Sequence, residues 1–165
     1  MNISEALRKI KKLKGEIAVS QQRMKSSSCW IQGKEPTYSF KEVVQLLEKQ
    51  TTELVALESA VAEKNASTKV NVDGKQVSLS SIIRSLQEIK SKISLYEVLS
   101  IKTDKEVDRD RFYSQEEEKY VTEKVERQWV SALTEIERDE KIKSLKEEFD
   151  KLNSVLENEN HKTQI

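Results

Sequence analysis

The spacing of apolar residues predicts helices over most of the chain. Four segments, residues 3–25, 40–65, 80–103 and 134–158, carry an apolar residue at every third or fourth position, which is typical of helices that bury one stripe. The first stripe, for example, comprises Ile3, Leu7, Ile10, Leu13, Ile17 and Met24. The connectors between the segments are long enough to reverse the chain. The pattern therefore predicts a mainly all-α fold, an antiparallel four-helix bundle.

The period changes to two in the stretch KNASTKVNVDGKQVSL, residues 64–79. Val70 and Val72 precede Asp73-Gly74, and Val77 follows. Asp-Gly between short alternating runs indicates a two-residue hairpin turn, because both residues tolerate a positive φ. We expect a small β-hairpin at about residues 68–79, between helices two and three. Two strands alone are marginal in water, so this hairpin must pack against helix ends.

A highly charged segment precedes the last helix. Residues 104–131 have no helical stripe, and KYVTEKVERQWVSAL could form an extended hairpin or continue into the last helix. We favour an irregular or extended insert here. Around it, residues 1–165 are expected to form a single helical-bundle domain.

Composition and charge narrow the classes of partner. The net charge is zero, so no overall field attracts nucleic acid, and we predict no nucleic-acid partner. A single cysteine excludes an internal disulfide framework. No apolar stretch approaches the roughly 18 residues of a membrane span, so we predict no stable membrane insertion. Because the N-terminus shows no hydrophobic signal region, we expect a cytoplasmic protein.

The sequence offers little for catalysis. Cys29 and His161 fall at opposite ends of the predicted bundle, which leaves no Cys/His zinc set and no catalytic triad. Glycines at positions 15, 33 and 74 do not form a phosphate-binding loop. We therefore expect no catalytic residues, no metal and no cofactor, and predict that the protein is not an enzyme.

Two groups of side chains are candidate sites. Most aromatic residues fall in or beside the first and third connectors of the predicted bundle, and aromatics are enriched in binding hot spots. The candidate interaction residues are Trp30, Trp129, Phe112 and Tyr113. The opposite end is polar, and its candidate cluster is Asn65, Thr68, Asn160 and Thr163.

Several short segments, in order along the chain, resemble a known family. MNISEAL, IQGKEP, KNAST followed by VDGK, QWVSAL and the ending NHKTQI are similar to segments of the septicolysin-like family of small bacterial helical proteins. The sequence departs from the family at Arg84-Ser85, where Arg-Asp is usual, and at His161-Lys162, where Trp-Thr is typical. The family's label implies pore formation, whereas the composition provides no segment apolar enough to enter lipid unassisted.

These observations favour a non-enzymatic protein that acts by assembly or binding. We expect self-association, most simply as a dimer, because a closed two-fold assembly is the commonest solution for a small protein. Two alternatives stay open, a septicolysin-like cytolysin and a protein that binds a small ligand or ion at the polar end.

Overall fold

The structure, a computed structural model, describes residues 1–116 and 118–165. Within these ranges the chain forms four helices and four strands. In chain order they are α1 (Ile3–Ser27), α2 (Phe40–Ser67), β1 (Lys69–Val72), β2 (Lys75–Ser78), α3 (Leu79–Glu97), β3 (Lys105–Ser114), β4 (Lys119–Gln128) and α4 (Glu135–Lys162).

The prediction of an all-α four-helix bundle is wrong, because the fold is a mixed α+β arrangement. Strands β1 and β2 form one two-stranded antiparallel sheet, and β3 and β4 form another. Helix α3 ends at Glu97 rather than near Thr103, and the second pair of strands follows it. One physical reason is that Val107, Val121, Thr122 and Val125 of this segment are β-branched and favour strands.

The chain divides into two compact units. The first unit comprises residues 1–87 and 150–165, and the second comprises residues 88–149. Helices α3 and α4 contribute residues to both.

The core of the first unit is aliphatic. Its buried apolar residues are Ile3, Ala6, Ile10, Leu13, Val43, Val61, Leu79, Ile82 and Leu86. Helices α1 and α2 pack against each other, and the buried Ser20 hydroxyl donates a hydrogen bond to Gln50 Oε1 at 2.8 Å. Lys9 and Glu53 add an ion pair at 2.5 Å, which lowers the pKa of the Glu53 carboxyl.

The N-termini of α1 and α2 are capped differently. Asn2 Oδ1 accepts from the backbone N–H of Glu5, and Glu5 Oε2 accepts from the N–H of Asn2, which completes a capping box. At the start of α2, Ser39 and Glu42 have the spacing of a capping box, but the Ser39 side chain makes no capping hydrogen bond.

The predicted hairpin is present as β1 and β2. Asp73 and Gly74 form its turn with φ of 51° and 82°, as the Asp-Gly signal predicts. Lys151 of α4 donates to Asp73 Oδ1 at 2.6 Å. The chain termini lie in the same unit, where the N–H of Ile3 donates to the carbonyl of Thr163 at 3.1 Å.

The second unit combines the end of α3, the β3–β4 pair and the start of α4. Its buried apolar residues among the described residues are Ile89 and Leu145, which is a small core for a unit of this length. Thr134 and Glu137 form a reciprocal cap at the start of α4. The hydrogen bond from the Thr134 backbone N–H lowers the pKa of the Glu137 carboxyl.

Candidate interaction surface

Strands β3 and β4 form a long two-stranded ribbon. Ten residue pairs, from Lys105 with Gln128 to Ser114 with Lys119, define an antiparallel register without a bulge. The sheet has two strands over the described residues, so the outer edge of each strand has no neighbouring strand. An isolated pair of strands is marginal in water, and a free strand edge is a template for pairing with another chain.

Charge is segregated between the two faces of the ribbon. Residues paired across the strands share a face, and successive residues alternate faces. One face, here called the basic face, carries Lys105, Arg109, Arg111 and Lys124 with Glu126 as its carboxylate. The other, the acidic face, carries Glu106, Asp108, Asp110 and Glu123 together with Arg127 and Lys119.

Segregation places like charges directly opposite each other. Arg109 pairs with Lys124 on the basic face, and Asp110 pairs with Glu123 on the acidic face. Like charges in these positions destabilise a strand pair. Arg127 offsets the acidic repulsion, since its guanidinium lies 3.0 Å from Asp108 Oδ2 and 2.5 Å from Asp110 Oδ1. The hydrogen bond to Asp110 raises the pKa of Arg127.

Trp129 fixes the end of the ribbon that is remote from its turn. Its indole N–H donates to Glu106 Oε2 at 2.7 Å, and its backbone N–H donates to the carbonyl of Asp104 at 3.1 Å. The Lys102 ammonium lies 4.6 Å from the centre of the indole ring, a cation–π contact. Trp129 therefore has local structural partners, although its side chain stays 47% exposed.

The structure brings three of the four candidate aromatic residues to the ribbon region. Phe112 and Tyr113 are neighbours on β3 and so lie on opposite faces. Tyr113 meets Tyr120 edge-to-face with ring centres 5.4 Å apart. Trp30 belongs to the first unit, in the connector after α1. The four residues therefore belong to two different units.

Sequence reasoning missed the charged residues of the ribbon as a candidate surface. The signal was present, because alternation of charge in VDRDR gives each face of β3 its own sign once the segment is read as strand. Among the described residues, Arg109, Arg111 and Lys124 make no ion pair. Arg111 lies over the ring of Tyr120, 4.9 Å from its centre, so Arg109 and Lys124 are the charges most available to a partner.

The predicted polar cluster lies wholly within the first unit. The carbonyl of Thr68 accepts from the N–H of Leu79, and the carbonyl of Thr163 accepts from the N–H of Ile3, so both threonines hold chain segments in place. The Oδ1 atoms of Asn65 and Asn160 are buried and have no hydrogen-bond partner among the described residues. Two acceptor oxygens are thus left unsatisfied at this end.

Residues 1–116 and 118–165 contain neither a metal centre nor a membrane-spanning helix. No group of three His, Cys, Asp or Glu side chains in these ranges is placed to hold a metal ion. Cys29 is a free, exposed thiol. In the same ranges, every helix is too short or too polar to cross a bilayer.

Two shallow grooves in the first unit share Leu47. One, of about 530 Å³, lies along α2 and includes Thr51 and Val55. The other, of about 570 Å³, includes Met24 and Phe40. Apolar atoms line most of both grooves, and neither brings titratable groups together.

Comparison with known proteins identifies a chain of similar fold but no known activity. No protein-family model matches the chain, and comparison with curated proteins gave no match. The chain is similar to the crystal structure of a functionally unknown conserved protein from Corynebacterium diphtheriae, with a TM-score of 0.75 and 18% sequence identity. The similarity covers 99% of this chain and 97% of the other. At this identity, the two chains share a fold.

Proposed function

We propose that this protein is non-enzymatic and acts by assembly or binding through the β3–β4 ribbon. The observation that carries the proposal is the ribbon itself, which has ten residue pairs, mostly exposed side chains and, in the part of the chain that the structure describes, two open edges. Natural proteins blunt or cover long strand edges because open edges pair with other chains. A partner that covered this ribbon would complete a sheet that is marginal alone.

Energetics support an interaction role over a purely structural one. The ribbon carries opposed like charges at Arg109 with Lys124 and at Asp110 with Glu123, which lower its own stability. Exposed aromatic side chains at Phe112, Tyr113 and Tyr120 lie near its turn. Such a combination of open backbone, partly compensated charge and exposed aromatics fits a surface that is completed by binding.

The solution mass tests the self-association half of this proposal. Light scattering across a wide range of protein concentration should show a rise from 19.1 kDa to a defined multiple of that mass. Raised salt should shift the equilibrium between monomer and oligomer, because salt screens the charged side chains on the exposed strands. A mass of 19.1 kDa at every concentration would remove self-association as the mode of action.

Membership of the septicolysin-like family stays a prediction, and we expect no pore formation by the isolated chain. Helix α1 has the aliphatic stripe of an interfacial helix, but Ile3, Ile10 and Leu13 of that stripe are buried in the first unit. Exposing them to lipid would require opening that core. Dye release from anionic liposomes at low protein concentration would restore the cytolysin interpretation.

A second candidate function rests on the unsatisfied oxygens of Asn65 and Asn160. Neutral amide oxygens suit hard cations, so a bound cation would supply the missing partner. We expect calcium or potassium chloride to raise the melting temperature of the wild type more than choline chloride of equal ionic strength. Asn160→Leu removes one acceptor and should abolish the difference. Equal shifts in both proteins would exclude a site at this position.

A further inference from the structure

The charged residues of β4 are arranged symmetrically about Val125, with opposite signs at equal distances from it. Read outward from Val125, Lys124 is matched by Glu126 and Glu123 is matched by Arg127, with Thr122 and Gln128 beyond them. We propose that the partner of the ribbon is a second copy of this chain, paired antiparallel along the outer edge of β4 across a two-fold axis at Val125. This inference rests on the proposed function and names its partner.

A two-fold axis perpendicular to a sheet pairs residues that are equally distant from the axis, and it keeps each face of the sheet continuous. In this arrangement Lys124 lies opposite the second copy's Glu126 on the basic face. Glu123 lies opposite the second copy's Arg127 on the acidic face. Because every contact occurs twice, the interface contains four oppositely charged pairs and no like-charged pair between Thr122 and Gln128.

The hydrogen-bonding pattern of the backbone is compatible with this register. The N–H of Trp129 donates to Asp104 across the ribbon, and strand alternation turns the N–H groups of Val121, Glu123, Val125 and Arg127 toward β3 as well. The backbone groups that face outward are therefore those of Thr122, Lys124, Glu126 and Gln128. These pair as Lys124 with Glu126 and Thr122 with Gln128 between copies. Val125 meets its own counterpart as a close, non-hydrogen-bonded pair, which suits an apolar side chain.

Pairing also compensates the repulsion inside each ribbon. Lys124 faces Arg109 within the chain and gains the second copy's Glu126. Glu123 faces Asp110 and lies opposite the second copy's Arg127, which it shares with the carboxylates that Arg127 contacts in its own chain. Each like-charged pair then lies within a four-stranded sheet, in the order β3, β4, β4, β3, instead of on an isolated ribbon. Four strands are also more stable than an isolated pair.

Several other symmetric arrangements bring like charges together. For the outer edge of β3, an axis at Arg109 places Asp108 opposite Asp110, and an axis at Asp110 places Arg109 opposite Arg111. On β4, an axis at Lys124 or Glu126 places that residue opposite itself. Stacking two basic faces or two acidic faces repels in the same way. Among the axes on β4, the one at Val125 gives the most oppositely charged pairs.

Charge exchange tests this register directly. Lys124→Glu places glutamates opposite each other at both symmetry-related positions, and Glu126→Lys does the same with lysines. Each variant should raise the dissociation constant of the dimer by about tenfold to a few hundredfold. An equimolar mixture should restore dimers that contain one copy of each variant. In such a dimer the introduced glutamate of one copy faces the introduced lysine of the other, and the two unchanged side chains, Lys124 and Glu126, also face each other.

The matched control is Lys92→Glu, an exposed change of the same type on α3. It alters the net charge as Lys124→Glu does but lies outside the ribbon, so it should dimerise like the wild type.

Folding does not confound the comparison. Lys124→Glu removes the repulsion from Arg109 within the ribbon, and Glu126→Lys exchanges an exposed attraction to Lys105 at 3.8 Å for a screened, exposed repulsion. Circular dichroism should match the wild type for both.

Three outcomes overturn the proposal. If both single variants dimerise like the wild type, assembly uses another surface and the proposed function survives without this interface. If the single variants are monomeric but their mixture stays monomeric, the register at Val125 is wrong. If the wild type is monomeric at every concentration, the edge pairing and the self-association fail together.

Discussion

Replacing two glycines of the first unit by alanine should change stability in opposite directions. Gly74 has φ of 82° in the hairpin turn, and a Cβ added there would meet nothing within 4 Å. Gly15 lies within α1, and a Cβ added there also meets nothing within 4 Å. Because neither alanine would clash, each substitution isolates the conformational preference of the backbone.

The expected magnitudes follow from these preferences. Alanine in the left-handed region costs roughly 1–2 kcal/mol, so Gly74→Ala should destabilise the first unit by about that amount. Alanine in a helix interior is favoured over glycine by about 1 kcal/mol, so Gly15→Ala should stabilise the same unit. The two variants should therefore differ by about 2–3 kcal/mol in their free energy of unfolding.

Urea unfolding followed by circular dichroism measures this difference. At a typical slope of about 1–3 kcal/mol/M, the two midpoints should be separated by about 1 M. Both positions belong to one unit, so they report on the same transition. A Gly74→Ala protein as stable as the wild type would contradict the positive-φ turn. Destabilisation by Gly15→Ala would contradict the regular helix at that position.

Three further changes probe other features of the fold. Leu79→Ala, at a side chain that is fully buried, should cost about 2–5 kcal/mol because it leaves a cavity; calorimetry should show a large fall in melting temperature, and no change would contradict the core assignment. Asn2→Ala removes the capping box of α1 and should cost about 1 kcal/mol in urea unfolding, whereas Asn2→Ser should retain most of that stability. The lowered pKa of Glu137 contributes stability above the ordinary value of 4.5 that is lost as the pH falls through the lower folded value. Stability measured against pH should therefore decline less on acidification in Glu137→Gln than in the wild type, and parallel declines would contradict the cap.

The helices and the small hairpin could be predicted because their signals are local. A stripe every three or four residues locates α1 and α2, and the Asp73-Gly74 dipeptide locates the turn between β1 and β2. Which individual residues are buried was harder to predict from the sequence. Leu7 belongs to the predicted stripe but is 44% exposed, whereas Ser20 is buried, because packing against α2 rather than hydrophobicity decides which face turns inward.

The β3–β4 ribbon shows why the fold class was missed. Its strands lie within a segment dense in charge, and the half-buried residues of β4, Val121 and Val125, are four positions apart, a spacing that helices and strands both allow. Pairing between residues such as Lys105 and Gln128 is non-local and has no signal within a short window. The candidate surface depends on that pairing, since only the register assigns Arg109 and Lys124 to one face.

Amide hydrogen exchange at single residues of β4 tests the account most directly. Among the described residues of one chain, the outward N–H groups of Thr122, Lys124, Glu126 and Gln128 have no strand partner, whereas that of Val125 faces β3. If two copies pair along this edge, the outward amides should exchange slowly at high protein concentration and rapidly on dilution, while the Val125 amide stays protected in both conditions. Outward amides that exchange rapidly and equally at every concentration would contradict pairing through β4.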